Sequence, residues 1–310
     1  MKKFIKSLLA FAAFTVVFYV IMVCVWGSVV PKKLNLNMMY RIGSNGHMNS
    51  RLKEAKQTEN VDILFLGSSH AYRGFDTRIF KEAGYNSFNL GSSSQSPIQT
   101  EILLKRYLDK LNPKMVVYEV YANTFCSDGV ESSLDIIAND KNDAKSLDMA
   151  FRQNHIKVYN TLIFGFYSDL MKRNAKYKEK ADKGEDHYVR GGFIEKDLRY
   201  FKNVKYDKKR KWEFNPAQFA AFERNIALLK KKGIKFVLVQ SPITPSLYQS
   251  YENNNVFDEK MKKYADSNYY NFNEIVRLND SLDFNDADHL NQNGVNKFDH
   301  QFIEKVLNRK

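Results

Sequence analysis

The sequence predicts an α/β fold: a three-layer domain with a five-stranded, mostly parallel sheet, preceded by one transmembrane helix. Three observations carry this. From residue 61 onward, short β-branched and aromatic runs alternate with helical stretches, the grammar of βαβ units with right-handed crossovers. One of the runs, Ile234 to Gln240, reads as the continuous apolar kind found in strands buried on both faces. Ahead of them, Leu8 to Val30 is a stretch of 23 residues without a charge, where about 20 residues of helix cross a bilayer core.

That N-terminal stretch reads as a retained anchor. The alternative is a cleaved signal peptide, but the run exceeds the usual apolar length of roughly 7 to 15 residues and no small-residue cleavage site closes it. Residues 1–30 are thus expected to form a cytoplasmic tail and anchor, with Lys2, Lys3 and Lys6 holding the short N-terminus inside. The catalytic or binding body then lies outside the cytoplasm. Residues 31–60 read as a linker with a short helix, and residues 61–310 as the folded domain. Cys24 falls within the span and Cys126 is the one other cysteine, so no disulfide within the body is expected and the lone thiol reads as packing.

"VDILFLG" reads as the first strand, "YNSFNLG" as the second and "KMVVYEVY" as the third. Between the last two, "SPIQTEILLKRYLDKLN" is a helix, with Ser96 as cap, Pro97 at its first position and Pro113 beyond its end. The alternation pauses at about 124–212, a polar, Lys-rich, partly helical insertion without strand rhythm, expected to lie over the strand ends. It resumes with a helix from about Pro216 to Lys232, stopped by Gly233, and a buried strand from Ile234 to Gln240. A helix near Val256 to Ala265, a short strand "NYYNFN" and a helix from about Gln292 to Leu307 complete the order.

The formal charge is +13, concentrated between Met171 and Lys211, where fifteen Lys and Arg face seven Asp and Glu. Such a run is either a solvated face or an attraction for an anionic surface or polymer, screened by salt. No nucleic-acid motif accompanies it, so nucleic acid is not expected as a partner. The histidines show no metal-ligand spacing and no Walker pattern occurs, so no cofactor is expected.

In an open parallel sheet, ligands bind outside the carboxyl ends of the strands. Strand one ends in Gly67-Ser68-Ser69-His70, strand two in "NLGSSSQSP" with Gly91, strand three in "YANTF" with Asn123, and after the last strand comes "NDADHLNQNG". A serine nucleophile needs a base, the base needs an acceptor to fix its tautomer, and the oxyanion needs donors in place. Ser69 is the candidate nucleophile, His289 the base and Asp286 the orienting carboxylate. The amides of Ser69 and Gly91, with the Asn123 side chain, are the candidate oxyanion donors. Of six histidines, His289 alone has an aspartate three positions before it. The competing readings are a surface-loop histidine, with Asp286 or Asp288 as a helix cap, Asp288 being the nearer to the helix. His70 reads as packing or capping.

"LGSSH", "NLG" and "DADHLNQNG" resemble the first, second and fifth blocks of the SGNH, or GDSL-like, hydrolase superfamily, over roughly residues 60–123 and 213–307. The resemblance implies a flavodoxin-like fold, Ser69 as nucleophile, Gly91 in the oxyanion hole, and Asp286 with His289 completing a triad. Ser68 stands where the common motif has Asp, and "VYANTF" replaces the third block. A membrane anchor with Gly-Ser-Ser is more similar to the envelope-modifying branch, which includes the D-alanyl-transfer protein of teichoic acid synthesis and the alginate O-acetylation proteins. That branch implies acyl transfer to or from a surface glycan, with a multi-pass membrane acyltransferase as partner. Two functions follow as expectations: a serine acyl-ester enzyme, O-acyltransferase or esterase, of the bacterial envelope, or a non-catalytic scaffold binding a glycan or a partner protein.

Overall fold

The computed structural model describes residues 1–202, 206 and 208–308. The elements run α1 (Lys2–Val29), α2 (Met48–Ala55), β1 (Ile63–Leu66), α3 (Ser69–Gly74), α4 (Thr77–Glu82), β2 (Ser87–Asn89), α5 (Pro97–Leu111) and β3 (Met115–Glu119). The inserted region holds α6 (Val130–Asn139), α7 (Ala144–Gln153), α8 (Ile156–Leu170), β4 (Asp182–Lys183), β5 (Asp186–Val189) and β6 (Phe193–Lys196). The chain closes with α9 (Pro216–Lys231), β7 (Lys235–Gln240), α10 (Pro245–Ser250), α11 (Asn254–Ala265), β8 (Tyr269–Asn271), α12 (Phe272–Ile275) and α13 (Gln292–Phe302). A π-helical turn, Ile303–Leu307, follows α13 where the sequence predicts unbroken helix.

The large sheet has the order β2-β1-β3-β7-β8, with every neighbour pair parallel. Counted within this sheet, that is strand order 2-1-3-4-5, the flavodoxin-like winding. Side chains alternate across it as a period of two requires. Leu64, Leu66, Val116 and Leu238 point into one core with α5, α9 and α11. Ile63, Phe65, Val117, Val237 and Val239 point into the other, where Phe75, Phe80, Phe298 and Phe302 cluster. Local signals set the helix ends. Ser96 and Gln99 form a capping box with Pro97 behind them, and Asn112 closes α5 in the left-handed conformation.

Two features go beyond the sequence expectation. The inserted region carries a three-stranded antiparallel sheet, β4-β5-β6, hidden in the sequence because its strands are two to four residues long and largely polar. It braces the back of α3 through a paired Arg73–Asp186 ion bridge at 2.8 and 2.9 Å. It also caps the end of β2, where Asn89 N–H donates to Gly191 O at 2.7 Å. Residues 31–60, read as a linker, are instead tied into the body: Met48, Leu52 and Ala55 of α2 belong to the larger core. Among the described residues one helix, α1, is long and apolar enough to span a membrane.

Candidate active site

β1 delivers the chain to Gly67, whose φ of +139° lies where side chains are strained. A Cβ there would sit 2.5 Å from a Glu119 carboxylate oxygen, so glycine lets the corner close on β3. Ser68 then caps α3, its Oγ accepting from His70 N–H at 3.2 Å. Ser69 is the first residue of α3, half-buried, and its amide has no acceptor among the described residues. Gly91 arrives from β2 so closely that a Cβ on it would stand 2.9 Å from Ser68 O.

His289 meets this corner from the far end of the chain. Its Nε2 lies 2.7 Å from Ser69 Oγ, across 220 residues of sequence. Its Nδ1 lies 3.0 and 3.1 Å from the two Asp286 oxygens and 3.1 Å from Asp288 Oδ1. In the neutral imidazole, with Nδ1–H shared between carboxylates, Nε2 carries the lone pair that accepts the Ser69 hydroxyl proton. The loop is wound around Asp286, whose Oδ1 accepts from the amides of Asp288 at 3.1 Å and His289 at 2.8 Å. Asn291, not Asp286 or Asp288, caps α13, through Gly294 N–H at 3.1 Å. Asp288 instead turns back to the site and accepts from the Tyr121 hydroxyl at 3.2 Å. The cap readings for both aspartates are thus corrected: each carboxylate is drawn to the imidazole.

The loop and the corner are aligned by packing behind them. Asp299 of α13 accepts from Asp76 N–H at 2.8 Å, and Gln292 donates to the Asp76 carboxylate at 2.9 Å. Phe75 stacks on Phe65 at 4.4 Å and packs against Phe298 at 5.1 Å. Ser69 and His289 are therefore presented by elements that share one aromatic core.

Burial disfavours charge on His289, but the hydrogen bonds and negative charges of Asp286 and Asp288 outweigh it and push the imidazole up to about 10. Burial also opposes ionisation of Asp286 and Asp288, yet His289 holds both below the ordinary carboxylate range.

Three neighbours of the site were not among the sequence candidates or had no assigned partner. Glu119, at the end of β3, is fully buried; burial pushes it up to about 7, against the Ser68 hydrogen bonds that favour its charge. Its Oε2 accepts from Ser68 N–H and from Ser68 Oγ–H, each at 3.0 Å. A hydroxyl has one proton to give, so Ser68 Oγ, 3.2 Å from His70 Nδ1, acts there as acceptor. With Glu119 ionised, that makes His70 the Nδ1–H tautomer. His70 packs, as read from sequence: it is buried, stacks on His289 at 4.9 Å and leans on Tyr121 at 4.0 Å. Burial and the nearby His289 charge lower it to about 4, which keeps it neutral. A carboxylate ending one strand behind the serine of another leaves no mark in a linear sequence.

The oxyanion candidates are placed unequally. The Gly91 amide, although at the corner, donates to Asn89 Oδ1 at 3.0 Å, so it serves an oxyanion only by giving up that bond. Asn123 lies in the 3₁₀ turn Ala122–Phe125 that follows β3, exposed and with no side-chain partner among the described residues. Cys126 packs nearby, donating weakly to Ala122 O at 3.5 Å, with burial raising its thiol to about 11.

The site is open. Ser69, Asp286, Asp288 and His289 are each half-buried, and a cavity of about 680 Å³ between α2, α4 and β2 contains none of them. One side is walled by aromatics. Trp212 stacks on Tyr251 at 3.4 Å and meets the edge of Tyr121, and the exposed Arg210 lies over Tyr206. Of the basic stretch read from sequence, Asn203, Val204, Lys205 and Asp207 lie outside the described residues. His70, Asp288 and His289 could together hold a cation by their donor types, but the Nδ1 atom of His289 is engaged by carboxylates and its Nε2 by Ser69.

No protein-family model matches the chain, and no curated protein matches it. Among solved structures it is similar to a putative acylhydrolase from Bacteroides fragilis, 12% identical with a TM-score of 0.42, covering 83% of this chain and 93% of that one. It is also similar to a GDSL-like lipase from Bacteroides thetaiotaomicron, 11% identical with a TM-score of 0.42, covering 84% and 98%. A third, a gut microbial diltiazem-metabolizing enzyme, is 12% identical with a TM-score of 0.27, covering 80% of this chain and 47% of that one. At such scores these likenesses bear no weight for the chemistry, which stands on the geometry above.

Proposed function

We propose that the chain is a membrane-anchored serine acyl-ester enzyme, an O-acyltransferase or esterase of the bacterial cell envelope, working through an acyl-Ser69 intermediate. The observation that carries the reading is the continuous line from Ser69 Oγ through His289 to Asp286 and Asp288. In the first half-reaction His289 Nε2 takes the Ser69 proton as Oγ bonds to the acyl carbon. The tetrahedral oxyanion collapses, the ester C–O bond breaks, and His289 returns the proton to the leaving alcohol. In the second, a glycan hydroxyl or water gives its proton to His289 as it attacks the acyl carbon, the acyl C–Oγ bond breaks, and His289 returns the proton to Ser69. The Ser69 amide is the ready oxyanion donor; Gly91 joins it if Asn89 lets go, and Asn123 is the third.

An open site beside an aromatic wall and exposed cations suits an extended, anionic polysaccharide better than a small ester sealed in a pocket. With a basic N-terminus inside, the body faces the envelope, where a multi-pass membrane acyltransferase is the natural donor. The Asn89 bond on Gly91 favours one second reading, a binding scaffold whose oxyanion hole never opens. A serine-directed fluorophosphonate separates them. Covalent label on Ser69, read by peptide mass spectrometry, supports the enzyme; folded protein that stays unlabelled supports the scaffold. Incubation with acyl donors and envelope polysaccharide then reads the acyl group and its acceptor.

A further inference from the structure

We propose that α1 is a clamped strut rather than a tether, and that the acyl step is thereby confined to esters and hydroxyls presented close to the bilayer surface. The confinement rests on the acyl-Ser69 reading; the clamp does not.

One stripe of α1 docks on α8. The Tyr19 hydroxyl donates to Asn160 Oδ1 at 2.5 Å. One and two turns on, Val23 lies in a buried cluster with Met38 and Phe164, and Gly27 sits so tightly that a Cβ on it would fall 2.5 Å from the Phe164 ring. At the helix end Arg173 donates to Ser28 Oγ at 3.3 Å while lying over Phe164 and Tyr167. The chain after α1 returns along the same helix and is fastened as it goes. Asn160 Nδ2 donates to Asn37 O at 3.0 Å, Met39 N–H to Thr161 Oγ1 at 3.0 Å, and Gly43 N–H to Asn139 Oδ1 at 2.7 Å. By Met48 it has entered the core.

Lengths decide what this does. A helix of 28 residues is about 42 Å long, about 12 Å more than a hydrocarbon core. The docked stretch from Tyr19 to Ser28 leaves Lys2–Phe18, about 26 Å and at the short end of what spans, with Lys2, Lys3 and Lys6 reaching back to the inner headgroups, so no free helix separates the body from the leaflet. A free linker of some 30 residues would add about 30 Å of root-mean-square reach and free rotation; here that slack is absent. A body of this size has a radius of gyration of about 19 Å, so Ser69 works within its width of the membrane. The substrate class that fits is a glycan carried on a membrane lipid or emerging at the bilayer, rather than distal polymer.

The test uses the full-length protein in phosphatidylglycerol–phosphatidylethanolamine vesicles. In a background with Cys24→Ala and Cys126→Ala, Gly27→Cys with Phe164→Cys should form a disulfide in most molecules under mild oxidation; little cross-link overturns the clamp whatever the activity. A fluorogenic acetyl ester is then presented on a lipid anchor either directly or on a 30-proline spacer, about 90 Å long. Wild type and cross-linked protein should cleave the near ester at least about tenfold faster than the far one. Gly27→Leu with twenty Gly/Ser residues inserted after Val30 should lose that preference yet turn over a soluble acetyl ester within about twofold of wild type, as release changes reach and not chemistry. Equal rates on near and far esters in wild type overturn the confinement while leaving the acyl reading intact. Failure of wild type to form acyl-Ser69 from the soluble ester removes the acyl reading, and the confinement with it, independently of the cross-link result.

Discussion

The corner that carries Ser69 and the loop that carries His289 meet at 2.7 Å, yet they are built differently. The corner is held from beneath: Glu119 grips Ser68, Gly91 presses on it, and the residues on both sides of Ser69 are buried. The loop is held from within, by Asp286 accepting two of its own amides, and its functional side chains stay half exposed. A nucleophile needs one fixed attack direction, which a strand-to-helix corner provides. A base that takes and returns a proton needs a tuned imidazole, which two carboxylates at its Nδ1 provide.

Substitutions at the contact itself should have the largest effect, whichever side is changed. Ser69→Ala and His289→Ala should each lower acyl turnover by on the order of a thousandfold or more, with unchanged thermal unfolding. A Ser69→Ala protein that keeps the wild-type rate would remove Ser69 from the chemistry. On the loop side the two carboxylates share one task. Asp286→Asn and Asp288→Asn should each cost about ten- to a hundredfold in kcat, and the pair together about as much as His289→Ala, because groups acting as a unit do not add. If Asp288→Asn has no effect alone or in the pair, Asp286 acts by itself.

The corner side predicts a stability effect instead. Glu119→Ala leaves Ser68 N–H and Oγ without their buried acceptor, at about 1–3 kcal/mol, read as a lower midpoint in urea. Glu119→Gln keeps an acceptor and should lose less. Equal losses in the two variants would mean that volume, not hydrogen bonding, is what Glu119 contributes.

The smallest and most discriminating effect is on pH. Only neutral His289 can accept the Ser69 proton, and the carboxylates hold it up near 10. Turnover should therefore climb as pH rises through the alkaline range. Asp288→Asn removes one source of that elevation, so the rising limb should move to lower pH; a limb that stays put would place Asp288 outside the coupling.

How much of this was legible in the sequence differs between the same two regions. The corner announces itself: an apolar run, Gly67, two serines and a short helix are local signals, as are the Ser96–Pro97 start of α5 and the Asn215–Pro216 start of α9. His289 with Asp286 was found by spacing and by its place before the last helix. Asp288 was read as a cap for that helix, but Asn291 takes the position and frees Asp288 for the imidazole. The antiparallel β4-β5-β6 sheet escaped because polar strands of two to four residues show no usable period.

By itself the sequence determined the succession along the chain of the five parallel strands, the apolar span of α1 and the residues that end each strand, because caps, breakers and hydrophobic period act between neighbours along the chain. The tertiary structure alone decided that Glu119 would lie beneath Ser68, that Asn89 would engage the Gly91 amide, that His70 would stack on His289, and that α1 would be fastened to α8. Each of these depends on side chains or amides brought together by the winding of the sheet and the packing around it. Their partners are fixed by the buried groups that meet there, not by spacing along the chain.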